Sequence, residues 1–516
     1  MRVHRLYHSD KKWVTVGVLT LAVLLFAHCA GSGSKSSSSV NACSLTTSTL
    51  SSTGIQVYPG PTGSSTYLSS LYTVEVYDGT TWQPSYTYAF NRTSKTAWHQ
   101  NANPSVNFST FATNRAVNVR ITNTAGSLTS VSISPLNLGI TATITGNQAA
   151  FTLNQTNKVW ITLNGDDSNP LFVFADGPKP TVPTSCSNFV YYGPGVTTIN
   201  QYQASSGQTI YLDGGAVVRG NINVAGTKNV QIVGPGILSG DLWTGETIQA
   251  LGSFSQQVKY AMISGDYNGS DNATVSGITI LDSPFYNFWG GASNVSGIKE
   301  LSPWFYSTDG FESVNHVDQV FAFIGDNVFF PGQEGIDNDT VTVTNSFAGT
   351  TNNAVFCGGF WGNANSSSFA SSATMNNIDI KTYTSGTYGT HTPAVFQIWV
   401  DNNISTSGYA NQTYSNIRIE GNLNSDLAEL VNMPYPAAWG GTTYTPALGN
   451  SYNISFQNIT LSGTQSTLSS IQGYDSTDGF HNVTWQSLSI NGTAVTNANS
   501  STYFNTNAYV WGLNFQ

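Results

Sequence analysis

Gly277-Ile-Thr-Ile, followed twenty residues later by Gly297-Ile-Lys, is the pattern that decides the fold. A small or polar residue precedes an aliphatic-polar-aliphatic triplet. The pattern returns as Asn229-Val-Gln-Ile, Asn377-Ile-Asp-Ile, Asn416-Ile-Arg-Ile, Asn458-Ile-Thr-Leu and Ser487-Leu-Ser-Ile. From Ile278 to Ile298 is 20 residues, and from Ile298 to Val320 is 22; from Ile378 onward, through Ile417 and Ile459 to Leu488, the gaps run from 29 to 42. One short strand per repeat, with no helical period, predicts a solenoid whose longer repeats carry inserted loops. A single coil cannot bury its own apolar face, so coils must stack at about 4.8 Å into one continuous core. A right-handed parallel β-helix over 181–516 is the expected architecture. A propeller, which needs several strands per repeat at steadier spacing, ranks second.

Upstream the texture differs. Tyr72-Thr-Val-Glu-Val-Tyr, Ala116-Val-Asn-Val-Arg-Ile, Val131-Ser-Ile-Ser, Val159-Trp-Ile-Thr-Leu and Leu171-Phe-Val-Phe are short alternating strands between turns. They predict an N-terminal β-sandwich over 41–180, all-β like the rest. Asp176-Gly-Pro-Lys-Pro-Thr-Val-Pro is the connector. Residues 1–40 read as an export segment: basic Arg2, Arg5, Lys11 and Lys12, the apolar run Trp13–Ala27, then a Ser-rich spacer. A secreted, extracellular protein is expected. Cys29 offers a lipoprotein anchor, but His28 is a poor residue to precede it, so soluble secretion is preferred.

Composition narrows the partners. Only 9% of the 516 residues are charged, aromatics reach 12%, and the formal net charge is −10. Such a surface repels nucleic acid and anionic membranes and suits a neutral partner. The expectation is a monomer acting on a neutral polysaccharide, with no nucleic acid and no membrane beyond the anchor. Cys43 and Cys186 bracket the N-terminal domain and predict a disulfide, and Cys357, in an apolar strand, predicts a buried thiol. No Cys/His spacing resembles a metal site, and no cofactor is expected.

Chemistry concentrates in Trp304-Phe-Tyr-Ser-Thr-Asp309-Gly-Phe and Gly325-Asp326-Asn327-Val-Phe-Phe330. Asp309 and Asp326 lie 17 residues apart, slightly less than one coil, which places them on neighbouring rungs of one face. Two such carboxyls can cleave a glycosidic bond, one donating a proton to the leaving oxygen and the other activating water. Thr-Asp-Gly is also a good turn, and Ser-Thr-Asp-Gly-Phe recurs at 476–480 with no second acid a coil later. On pattern alone the turn is the stronger reading.

A resemblance shifts that balance. Pro170-Leu-Phe-Val-Phe-Ala, Tyr191-Tyr-Gly-Pro-Gly-Val, the run from Gly207 to Gly220 and Val230-Gln-Ile-Val-Gly-Pro-Gly-Ile-Leu-Ser-Gly240 are similar to glycoside hydrolase family 49, the dextranases and isopullulanases. Ser307-Thr-Asp-Gly resembles that family's Gln-Thr-Asp-Gly, and Gly325–Phe330 occupies the place of its Asn-Asp-Asp-x-x-Lys. Val341-Thr-Val-Thr and Asn353-Ala-Val-Phe-Cys-Gly-Gly-Phe-Trp361 resemble the family's next strand and its Gly-Trp. The match covers roughly 165–365. It implies a sandwich on a β-helix and an endo-acting, inverting hydrolase of α-glucans, with α-1,6 linkages first. It gives Asp326 the role of general acid and Asp309 that of water-activating base. Asn327 replaces the second Asp of the pair and Phe330 the Lys. Asn can orient water but cannot take its proton.

Trp304, Tyr306, Phe330 and Trp361 are candidate sugar platforms, because an aromatic ring offers an apolar face to a sugar. Glu312 is the reserve acid; Glu334, Asp337 and Asp339 read as solvated loop residues. Three alternatives accompany the hydrolase. A non-catalytic carbohydrate-binding protein is suggested by Asn327 and Phe330. A polygalacturonase-like pectin hydrolase would want a Gly-His-Gly that is absent, and Asn416-Ile-Arg-Ile only grazes its second motif. A polysaccharide lyase would want a Lys or Arg base, and both are scarce.

Overall fold

The computed structural model describes residues 42–91, 105–183, 185–266, 272–305, 307–330, 340–350, 354–358, 372–381, 394–400, 409–433 and 447–516. The export segment and Cys29 lie outside these residues. Val40–Gln516 form one compact unit. Among the described residues no helix is long and apolar enough to cross a membrane.

The chain is all-β, a sandwich followed by a right-handed parallel β-helix. The outer sheet of the sandwich orders Trp82–Ser85, Tyr72–Tyr77, Val117–Asn123, Gln148–Leu153 and Thr143–Thr145. Its strands alternate buried and exposed positions, as expected of a sheet with one wet face. The inner sheet contains Val106–Thr113, Asp166–Asp176 and Lys158–Leu163. Val106–Thr113 and Lys158–Leu163 are buried along their whole length. The reason is a third layer. Val159, Ile161, Leu171 and Val173 pack into the sandwich core. Their neighbours Trp160, Phe172 and Phe174 face the other way, onto Leu301, Phe321, Phe323 and Phe347 of the solenoid. Trp160 meets Phe323 edge-on at 4.6 Å. The Cys43–Cys186 disulfide ties the start of the sandwich to the start of the solenoid.

Each coil has three walls. The first wall stacks Thr209–Leu212, Gln231–Val233, Ala273–Ser276, Ala292–Ser296 and His316–Asp318 in parallel. The second stacks Ile237–Ser239, Thr279–Leu281, Lys299–Ser302 and Phe321–Ile324, and it bears the sandwich. The third stacks Phe288–Trp289, Phe311–Glu312, Phe356–Gly358, Phe396–Val400 and Ala428–Asn432, with Phe329 bridging the second and third of these.

Between the first and second walls the chain must turn with φ positive. Gly277, Gly297, Gln319, Asn345, Asn377, Asn416, Asn458 and Ser487 hold that place on successive coils, with φ from 51° to 77°. Gly and Asn tolerate the left-handed region best, which explains the first residue of the repeat. The aliphatic residue after it points inward: Ile278, Ile298, Val320, Ile378, Ile417 and Ile459 all lie in the solenoid core. Where Asn replaces Gly, side chains stack, as in Asn377 Nδ2 donating to Asn345 Oδ1 and Asn458 Nδ2 to Asn416 Oδ1, both at 2.8 Å.

Candidate active site

The corner between the second and third walls carries the acids. Behind it runs a spine of inward rings. Phe288, Phe311, Phe329, Phe356 and Phe396 stack one per coil, with centroids 5.1–5.7 Å apart. Stacked aromatic pairs add to burial and fix the register of the coils. Phe311 bridges Phe329, so two residues upstream Asp309 lies in line with Asn327. Asp326 stands one residue to the side, on the same corner.

Asn327 joins the two carboxyls. Its Nδ2 lies 3.5 Å from Asp309 Oδ1, and its backbone N–H donates to Asp326 Oδ1 at 3.0 Å. Its own Oδ1 accepts the Ala354 N–H at 3.2 Å. The Ser307 N–H donates to Asp326 Oδ2 at 2.8 Å, with Ser307 held at φ 62°. Thr308 anchors the loop by donating to the carbonyls of Phe305 and Ser302 at 2.7 and 2.9 Å, and it accepts the Gly325 N–H.

Both acids are buried: Asp309 is 4% exposed and Asp326 7%. Burial pushes the Asp309 carboxyl well above the usual range, and the charges of Asp326 and Glu312 push it further. Asp326 collects two backbone N–H donors, which favour a negative charge. Burial and these neighbouring charges oppose ionisation of Asp309. Glu312 is also buried, on the outward side of Phe311.

The outward residues of the third wall form a row beside these acids. Trp289 aligns with Glu312, and Cys357 with Gln397 and Glu429, through the strand register, with Phe330, after the bridging Phe329, between the two sets. Cys357 is a buried free thiol, raised first by burial and then by the charges of Asp326, Asp309, Glu312 and Glu429. Glu429 accepts from Trp399 Nε1 at 2.9 Å. Sequence reasoning missed Trp289, Gln397 and Glu429. The signal was present: one Phe per coil, each with an outward residue after it, in Phe288-Trp, Phe311-Glu, Phe329-Phe, Phe356-Cys and Phe396-Gln.

Two platform expectations are corrected. Trp304 packs against Phe90 at 5.2 Å, inside the layer between sandwich and solenoid. Phe330 is buried with Ala354, Cys357, Trp399, Val431 and Met433 in an apolar patch outside the third wall. Neither offers a face to a sugar. Tyr306, Trp361, Glu334, Asp337 and Asp339 lie outside the described residues. Among the described residues, no group of three or more His, Cys, Asp and Glu is placed to hold a metal ion.

No family model matches the sequence. No curated protein matches it either. Three solved structures match the chain. Dex49A from Penicillium minioluteum shares 17% identity over 91% of this chain and 100% of its own, with a TM-score of 0.64. A family 28 exopolygalacturonase from Yersinia enterocolitica covers 78% of this chain and 96% of its own, at 10% identity and a TM-score of 0.34. A polygalacturonase from Erwinia carotovora ssp. carotovora covers 63% and 91%, at 12% identity and 0.37. The chain thus carries the fold of Dex49A over nearly its whole length, and the resemblance to family 49 holds at the level of the fold.

Proposed function

We propose that this chain is an exported, endo-acting, inverting glycoside hydrolase of neutral α-glucans, dextranase-like in taking α-1,6 linkages first. The carrying observation is the meeting of Asp309 and Asp326 across neighbouring coils at one corner, with Asn327 bridging them. The fold shared with Dex49A, a family 49 dextranase, supports the substrate class. The Cys43–Cys186 disulfide supports an oxidising, extracellular setting for a chain with an export-like leader.

The resemblance gives Asp326 the acid's part, whereas the electrostatics favour the reverse. Asp309 holds a proton because burial and two like charges oppose its ionisation. It donates that proton to the glycosidic oxygen as the bond from the anomeric carbon breaks. Asp326, ionised, takes a proton from a water attacking the opposite face, and the new C–O bond has inverted configuration. Asn327 orients both carboxyls and the water but accepts no proton.

New reducing ends from dextran or pullulan, abolished by Asp326→Asn, are the expected result. A panel of neutral α-glucans that yields none above background removes the hydrolase. A second reading is a carbohydrate-binding protein without turnover. It is favoured by Asn327 standing in line with Asp309 and by the enclosure of both acids. It expects glucan binding with no release of reducing ends and little effect of Asp309→Asn.

A further inference from the structure

The row of outward residues on the third wall continues past the acids toward the N-terminus. One coil before Glu312, in register, stands Trp289. One coil before Asp309, by the same register, stands Tyr286. Asn287 between them donates its side-chain amide to the backbone oxygens of Thr308 and Asp309 at 3.2 and 3.0 Å, so this coil is bonded directly to the acid loop.

Residues 241–262 depart from the coil at this same corner and return to it, carrying the short helices Gly245–Gln249 and Phe254–Gln257. They build an apolar cluster apart from the solenoid core. Ile248, Ala261, Phe285 and Tyr286 are buried in it, while Trp243, Phe254, Tyr260 and Trp289 remain partly exposed. Phe254 and Tyr286 each meet Trp289 edge-on at 5.0 Å and hold its ring. The insertion also touches the acid loop. Gln249 Nε2 reaches Ser307 Oγ at 3.4 Å, and the Ser307 N–H is the donor to Asp326. Gly245 lies so close to the Phe305 ring that a Cβ would fall 2.2 Å from it.

We infer that Trp289 is the platform of a sugar subsite next to the acids, taking one neutral pyranose ring of the glucan on the N-terminal side of the bond that is cut. A rigid indole edge-packed by two rings loses little entropy on binding and offers an apolar surface to the sugar's C–H face. Along the solenoid axis Trp289 stands one coil, about 4.8 Å, from Glu312 and three residues across from the position in register with Asp309, a step comparable to one sugar residue. This is the place that Trp304 and Phe330 do not fill. The inference rests on the hydrolase reading, and the two fail differently.

The test uses the full chain with Asp326→Asn as a trap, titrated with isomalto-oligosaccharides by calorimetry. Adding Trp289→Ala weakens binding about tenfold, and Trp289→Phe restores most of it. Oxidation with N-bromosuccinimide, mapped by mass spectrometry, avoids any dependence on the Trp289 variants folding. The Trp289 peptide is protected by the oligosaccharide, while buried Trp160 and Trp485 do not react with or without it. Binding unchanged by Trp289→Ala, or oxidation of Trp289 unaffected by sugar, overturns the subsite and leaves the hydrolase standing. No binding at any concentration removes both.

Discussion

Ser307-Thr-Asp309-Gly-Phe311 and Ser476-Thr-Asp478-Gly-Phe480 are the same five residues at two corners of one solenoid. Their shared parts behave alike. Each string ends on a Phe that points inward and opens a strand, Phe311 on the third wall and Phe480 on the first. Each needs its glycine, because a Cβ on Gly310 would fall 2.5 Å from the Val328 carbonyl oxygen, and one on Gly479 2.2 Å from that of Tyr509. The acids differ completely. Asp309 is enclosed beside Asp326, Glu312 and Asn327. Asp478 accepts the Gly449 N–H at 2.9 Å and lies 3.4 Å from Asn450 Nδ2, which closes a turn. The string dictates a turn and an inward ring; the neighbouring coil decides whether its acid can do chemistry.

That difference is open to direct attack. The largest effect expected is on turnover: Asp309→Asn or Asp326→Asn lowers kcat by about 10³-fold or more, the scale of acid–base catalysis, while Asp478→Asn leaves kcat within about twofold. Equal losses at Asp309 and Asp478 would erase the contrast. Next, the shared role of the rings predicts a shared cost. Phe311→Ala and Phe480→Ala each destabilise by about 3–5 kcal/mol in denaturant unfolding. A cheap substitution at either site would mean that its ring is not a structural anchor.

How much of this contrast was legible in the sequence varies with the distance over which each residue's surroundings are gathered. The inward aliphatics Ile278, Ile298, Val320 and Ile378, and the turn residues before them, were readable because the coil repeats them locally. The meeting of Asp309 with Asp326 was readable from a spacing near one coil. The alignment of Asp309 with Asn327 rather than Asp326 was not, since it depends on where the loop regains register at Phe329. Trp304 and Phe330 look like platforms in the sequence. Trp304 is covered by Phe90, from the distant sandwich, and Phe330 by Trp399 and Val431 from later coils. Val106–Thr113 is absent from the strands expected: its alternation, Val106-Asn-Phe-Ser, breaks after four residues at Thr110-Phe-Ala.

Smaller effects sharpen the comparison further. Glu300 lies fully buried on the second wall, and its Oε2 would sit 3.1 Å from a Cβ on Gly310, directly behind the first string. Burial raises its carboxyl well above the ordinary value of 4.5. The folded chain therefore keeps a proton that the unfolded chain gives up. The stability this group contributes is whole below about pH 4.5 and is lost as pH rises through the raised value. Glu300→Met should add roughly 1–4 kcal/mol at pH 8 and flatten the pH dependence of unfolding. A destabilised variant would show the carboxyl to be bonded rather than stranded. Asp478→Asn should cost about 1 kcal/mol, the worth of its hydrogen bonds. Finally, if protonated Asp309 is the acid, kcat falls as pH rises through its elevated pKa, and Asn327→Asp, by adding a like charge, moves that limb to higher pH. A limb that stays put, or moves down, would detach Asp309 from the acid's role.

The first product of dextran cleavage, monitored by proton NMR at the anomeric position, puts the two-carboxyl corner to the most direct test. The β-anomer should appear first and then equilibrate with the α-anomer, as inversion at an α-linked glucose requires. An α-anomer appearing first, or no new anomeric signal from any neutral α-glucan, would contradict it.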